Sequence, residues 1–192
     1  MARTVPGVRH TRRGATIWLT GLPGSGKTTL ARGVERRLAA KARLAYVLDG
    51  DAIRSGLCSD LGYDADSRNE NVRRVSEVAA LFADAGVIAV VALISPSRSG
   101  RAQARALHDR MALPFLEVFV DTPLEICEQR DPKGHYSLAR RGLLKAFTGI
   151  DAPYERPVDP DLVVRPAADP IELGVDCVVG AAERIIARPG PG

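Results

Sequence analysis

Short runs of aliphatic and β-branched residues recur along the chain, separated by longer stretches in which apolar positions return every three or four residues. The runs cover residues 15–20, 44–49, 87–94, 115–121 and 161–164 and predict five strands. Several are apolar almost throughout, as expected of strands covered on both faces, which favours parallel pairing. The amphipathic stretches predict helices over residues 27–40, 67–85, 101–111, 123–129 and 171–187. Strand and helix alternate, so the expected class is α/β, a five-stranded, mainly parallel sheet with helices on both faces.

Two segments break this rhythm. Residues 131–148 are polar and punctuated by Gly134 and Gly142, and residues 151–160 carry several prolines. A charged, glycine-punctuated insertion in a compact α/β domain is expected to act as a mobile lid, with a plain surface helix as the alternative. The first fourteen residues, with Arg3, Arg9, His10, Arg12 and Arg13, are expected to form a basic solvated tail, and residues 188–192 a short C-terminal one. One domain over residues 15–187 remains.

Composition adds little and excludes more. The net charge of +4 suits anionic ligands without requiring them. Cys58, Cys127 and Cys177 are odd in number and widely spaced, which argues against a disulfide framework or a zinc site. No apolar run reaches bilayer-spanning length, so no membrane association is expected, and a reducing cytoplasm is the simplest location. Nucleic-acid binding would rest on the N-terminal arginines alone and is not expected.

The strongest chemical signal is Gly21-Leu22-Pro23-Gly24-Ser25-Gly26-Lys27-Thr28, which satisfies GxxxxGK[ST] between a predicted strand and a predicted helix. Gly24 and Gly26 let backbone amides turn inward around phosphate oxygens, at the positive end of the following helix. Lys27 is placed for the β- and γ-phosphates and the Thr28 hydroxyl for Mg²⁺, with Thr29 near the α-phosphate. This predicts a P-loop NTPase fold that binds ATP. There is no NKxD-type guanine motif and no aliphatic run ending in Asp-Glu of a motor ATPase, so a small-molecule kinase fits the length better.

A second constellation follows the second strand. Asp49-Gly50-Asp51 falls at the carboxyl end of the sheet, where ligands of open α/β folds collect. Either carboxylate could hold Mg²⁺ through water, and one could accept the proton of an acceptor hydroxyl. Asp51 is the expected base and a metal contact with Thr28. Ser67 and Glu70 form a capping-box pattern, so a helix is expected to begin at Ser67. Arg68 and Asn71 then share a face and, with Arg54, could bind a second anion.

From about Gly14 to Pro160 the chain resembles the adenylylsulfate kinase family. The resemblance rests on the stretches 16–21, 48–51, 60–63, 68–74, 94–96, 130–134 and 147–151, in that order. It implies transfer of phosphate from ATP to the 3′-hydroxyl of adenosine 5′-phosphosulfate, giving 3′-phosphoadenylyl sulfate. It further implies that Asp49, Asp51, Arg54, Arg68 and Asn71 serve the acceptor, that Ile94 and Ser95 border its pocket, and that Lys133 reaches in from the lid. Tyr63 and Phe147 fall where the family stacks aromatic rings on the acceptor adenine. Gly21, Gly24, Ser25, Gly26, Lys27, Thr28, Thr29 and Arg130 are assigned to ATP. A homodimer is implied, and association with an ATP sulfurylase is left open. Tyr63 stands where the family usually has Phe and Cys58 where it usually has Asn, while His135 and Leu143 are unusual in the lid. On residues alone, a P-loop kinase with another acceptor and a catalytically silent nucleotide sensor both stay open.

Overall fold

The computed structural model describes residues 13–187; the stretches 1–12 and 188–192, and with them most of the expected tails, lie outside the described residues. Five parallel strands, β1(Ala15–Thr20), β2(Ala45–Asp49), β3(Ile88–Ala92), β4(Phe115–Val120) and β5(Leu162–Val164), form one sheet in the order β2-β3-β1-β4-β5. β1 lies at the centre with every residue buried, which fits a run interrupted only by Thr16 and Thr20, whose hydroxyls are hydrogen-bonded.

Helices cover both faces. α1(Lys27–Ala40) and α7(Ile171–Ala187) pack on one side, burying Leu30, Val34 and Leu38 against Val175, Val178 and Val179. α1 and α7 approach closely at Gly33, where a Cβ would come within 2.5 Å of a Val175 methyl. On the other side α3(Ala65–Asp84) and α4(Arg98–Arg110) cover Trp18 and Val91 with Val72, Val75 and Ala104. His108 is buried here: its Nδ1 donates to the Ala104 carbonyl at 2.8 Å, which leaves Nε2 to accept from the Thr16 hydroxyl at 2.8 Å.

Three boundaries differ from expectation by two or more residues. β3 stops at Ala92: Leu93 N still donates to the Leu19 carbonyl at 3.3 Å, after which Leu93 and Ile94 line the ligand side of the sheet. α3 begins at Ala65, before the expected Ser67, because Asp64 is its N-cap and accepts from Ser67 N at 2.9 Å. α4 begins at Arg98, capped by the Ser97 hydroxyl. The six-residue helix α2(Gly50–Ser55) had no sequence expectation, while α6(His135–Arg140) falls in the segment 131–148, for which a surface helix was the alternative to a lid; α5(Leu124–Arg130) was expected. No helix among the described residues is long and apolar enough to cross a membrane.

Because all strands run the same way, the segments following β1, β2, β3 and β4 meet along one edge. Those segments are the glycine loop, Asp49 to Asp51, Leu93 to Pro96, and Thr122.

Candidate active site

The glycine loop bridges β1 and α1. Gly24 (φ 73°) and Gly26 (φ 101°) lie in the left-handed region, and Gly26 is the N-cap of α1. A side chain at either position would be strained, and at Gly24 it would also meet the Cys127 carbonyl at 3.0 Å. From behind, the Thr122 hydroxyl donates to the Ser25 carbonyl at 2.9 Å and the Tyr136 hydroxyl to the Pro23 carbonyl at 2.9 Å.

Lys27 is 8% exposed and folds back onto the loop. Its ammonium donates to the carbonyls of Gly21 (2.9 Å) and Leu22 (2.7 Å) and to the Ser25 hydroxyl (3.3 Å). Burial pulls the amine down from 10.5 to about 8, against the opposing influence of Cys127, Asp49 and Asp51.

Asp49 ends β2 and caps α2. One carboxylate oxygen accepts from Asp51 N at 3.0 Å and the other from the Thr28 hydroxyl at 2.8 Å. Thr28 is thus joined directly to Asp49, whereas Asp51, the residue expected beside it, pairs with Lys133 from the loop before α6. Asp49 is held by its capping bond, while Asp51 lies in the first turn of α2 and is exposed.

Across the cavity stand two guanidinium groups. Arg54 donates to the carbonyls of Leu61 (3.2 Å) and Gly62 (2.5 Å) and lies 4.6 Å from the Tyr63 ring centroid. Arg68 donates to the Thr148 hydroxyl at 2.6 Å and to the Ala146 carbonyl. Burial, then the neighbouring Arg54 charge, lowers the Arg68 pKa. Both effects would be relieved by an anion. Asn71 is 5% exposed, and its Nδ2 is buried with no partner among the described residues. A buried amide of this kind is costly unless a ligand or water satisfies it.

Ser95 adopts φ 41° and is held firmly: its hydroxyl accepts from Trp18 Nε1 at 3.1 Å, and its carbonyl accepts from Arg101 at 2.6 Å. Arg101 is itself buried and paired with Glu117 at 2.9 Å. Phe147 makes T-shaped contacts with Tyr136 and His135, with centroids 4.9 and 6.0 Å away.

These groups line one cavity of about 760 Å³. It brings together Gly24, Gly26, Lys27, Thr28, Thr29 and Arg130 with Asp49, Asp51, Arg54, Tyr63, Arg68, Asn71, Ile94, Ser95, Lys133 and Phe147. Gly21 and Ser25 stand behind the loop, the first presenting its carbonyl to Lys27 and the second fully buried. Pro166, whose carbonyl accepts from Arg130 at 3.3 Å, and Ile171 also line the cavity without having been expected, since nothing in their local sequence marks them.

Residues 13–165 match the sequence profile of the adenylylsulphate kinase family. This chain belongs to that family. Its relatives include the adenylyl-sulfate kinase of Clostridium acetobutylicum, 50% identical over 168 residues that cover 88% of this chain and 82% of that protein. The adenylyl-sulfate kinase of Saccharomyces cerevisiae is 56% identical over 152 residues, 79% of this chain and 75% of that one. Among solved structures, the Mycobacterium tuberculosis APS kinase CysC, determined in complex with AMPPNP and APS, superposes with a TM-score of 0.87 at 50% identity. That alignment covers 90% of this chain and 99% of the other. The parallel sheet and glycine loop are therefore those of an adenylylsulphate kinase, an ATP-dependent enzyme family.

Proposed function

We propose that this chain transfers the γ-phosphoryl group of ATP to the 3′-hydroxyl of adenosine 5′-phosphosulfate, producing 3′-phosphoadenylyl sulfate and ADP. One observation carries the reading: a single cavity holds a phosphate-binding loop at one end and, across Asp49 and Asp51, two guanidinium groups, an unpartnered buried amide and two aromatic rings. The first end suits a triphosphate and the second a planar base bearing a 5′ anion.

In this reading the glycine loop from Gly21 to Gly26, with Gly24 and Gly26 facing the cavity and Gly21 and Ser25 shaping it from behind, receives the ATP phosphates together with Thr29 and the Lys27 ammonium, with Arg130 beside the nucleotide. Lys27 exchanges its carbonyl partners for phosphate oxygens. Arg54, Arg68 and Asn71 receive the phosphosulfate, while Tyr63 and Phe147 flank the adenine and Ile94 and Ser95 close the pocket. Asp51 accepts the 3′-hydroxyl proton, which requires its contact with Lys133 to loosen. Lys133 then turns to the bound anions. The transition state is loose, so a base placed correctly needs little intrinsic strength.

Hard oxygen donors converge at Thr28, Asp49 and Asp51, a set that fits Mg²⁺, which takes one or two carboxylates and completes its shell with phosphates and water. Thr28 with Asp49 or Asp51 would hold the ion, and it would neutralise phosphate charge. The segment 131–148, containing α6, is proposed to act as a lid over both nucleotides. A homodimer, a cytoplasmic location and a possible ATP sulfurylase association complete the proposal on the strength of the family resemblance.

A coupled ADP-release assay across acceptors tests the assignment. Adenosine 5′-phosphosulfate should exceed AMP, gluconate and other small alcohols by at least about a hundredfold in kcat/KM, because an acceptor lacking the second anion leaves buried donors unpaired. Equal rates with gluconate would refute it.

A further inference from the structure

Asp151 has been assigned to neither ligand, yet its carboxylate organises the turn that carries Phe147. One oxygen accepts from Ala146 N at 2.7 Å and the other from Phe147 N at 2.5 Å. On the far side of the same residue, the Phe147 carbonyl accepts from the amides of Ile150 (3.1 Å) and Ala152 (3.1 Å). The backbone of Phe147 is therefore held at both ends.

The turn needs such support. Ala146 sits at φ 54°, a left-handed conformation that a non-glycine residue keeps only when its surroundings enforce it. Arg68 donates to the carbonyl of this same Ala146 and to the Thr148 hydroxyl, so the turn is pinned to α3 as well. The direction of the Phe147 side chain follows from φ and ψ at 146 and 147, which Asp151 fixes by gathering two consecutive amides onto one carboxylate. Asp151 is exposed, and its carboxylate accepts no side-chain hydrogen bond or ion pair short enough to suggest another structural duty among the described residues.

We propose that Asp151 is a positioning residue for acceptor recognition: it locks the 146–147 turn so that the Phe147 ring stands as a preformed wall of the acceptor site. This rests on the reading of Phe147 given above. Asp151 acts through Phe147, at the acceptor end of the cavity, and its carboxylate bonds to the turn's own amides rather than to the glycine loop.

The test is steady-state kinetics, varying ATP and adenosine 5′-phosphosulfate separately, for Asp151→Ala, Asp151→Asn, Phe147→Ala and the Asp151→Ala/Phe147→Ala double variant. Asp151→Ala should raise the acceptor KM about tenfold, the loss expected from freeing two charge-assisted amide bonds, while the KM for ATP stays within about twofold. Asp151→Asn keeps one acceptor oxygen and should fall between wild type and Ala. Once Phe147 is truncated, adding Asp151→Ala should change the acceptor KM by less than about twofold, because the positioned ring is gone. Equal rises in both KM values, or an Asp151 effect that persists undiminished without Phe147, would mark a general structural role and overturn the proposal. If Phe147→Ala raises the acceptor KM and Asp151→Ala does not, this inference alone fails. If Phe147→Ala leaves the acceptor KM unchanged, the aromatic wall fails and the inference with it. Should Asp151→Ala melt too low for assay, Asp151→Asn and its double variant serve the same comparison.

Discussion

The nucleotide affinity of this enzyme should be linked to protonation of Lys27. The free protein holds Lys27 at about 8 rather than 10.5, because burial opposes its charge and carbonyl oxygens only partly replace water. The shift of about 2.5 units corresponds to roughly 3 kcal/mol of opposition to the charged form. A polyphosphate against the ammonium favours the charged form and raises its pKa again. Well below pH 8 Lys27 is already protonated and binding moves almost no proton at this site; well above it, binding must take one up. At pH 9 about nine-tenths of the free protein carries neutral Lys27, so affinity for a non-hydrolysable ATP analogue should be roughly tenfold weaker than at pH 7, about 1.4 kcal/mol. Titration calorimetry in buffers of different ionisation enthalpy counts the protons directly, and at pH 9 the phosphates of the nucleotide are already fully ionised. Uptake of about nine-tenths of a proton per site at pH 9, falling to about a quarter at pH 7.5 and about a tenth at pH 7, is expected from Lys27. The stability linkage has matching sign: with the folded pKa below the unfolded one, the unfolded chain binds more protons between pH 8 and 10.5, so Lys27 makes the fold gain stability as pH rises through that window. No proton uptake at pH 9 would refute the argument.

Three further outcomes are expected. Asp51→Asn should lower kcat by about 10² to 10⁴ while leaving ATP affinity nearly unchanged, as measured by single-turnover kinetics beside calorimetry. Gly33→Val should destabilise the protein by about 1 to 3 kcal/mol in urea unfolding, because its Cβ alone would come 2.5 Å from Val175. His108 is buried and its imidazolium is disfavoured, chiefly by desolvation, so its folded pKa lies below 6.5. The unfolded chain then binds the extra proton, and stability falls as pH drops below 6.5; a His108→Gln variant should show a flatter acid limb in thermal melts.

Much of this architecture can be read along the chain because its strongest signals are local. β1 and α1 are legible to the residue: six buried positions run into glycines that no helix or strand would keep, followed by the i, i+4, i+8 set Leu30, Val34 and Leu38. Apolarity misleads at Leu93 and Ile94, which look like strand but line the cavity, since a pocket wall and a sheet interior demand the same residues. Ser67 looks like a cap, yet Asp64 performs that task and leaves Ser67 bonded to it. α2 and α6 are six residues long, too short for a period to emerge. Most of the expected residues line the cavity and were legible as motifs; the side-chain pairing among them was not. Thr28 joins Asp49 across 21 positions and Arg68 joins Thr148 across 80, and no local pattern distinguishes Asp49 from Asp51 as the partner of Thr28. Asp151 escapes for the same reason as many turn carboxylates: its role lies in backbone amides that any sequence possesses.

The central claim is that one cavity gathers two anionic nucleotides so that Asp51 stands between a terminal phosphate and a ribose hydroxyl. Its most direct measurement is the position of the new phosphate after incubating purified protein with Mg²⁺, ATP and adenosine 5′-phosphosulfate, read by ³¹P NMR and by mass spectrometry. Stoichiometric ADP and a monophosphate ester at the 3′ position are expected; ADP without a phosphorylated acceptor, or an ester at any other oxygen, would contradict the account.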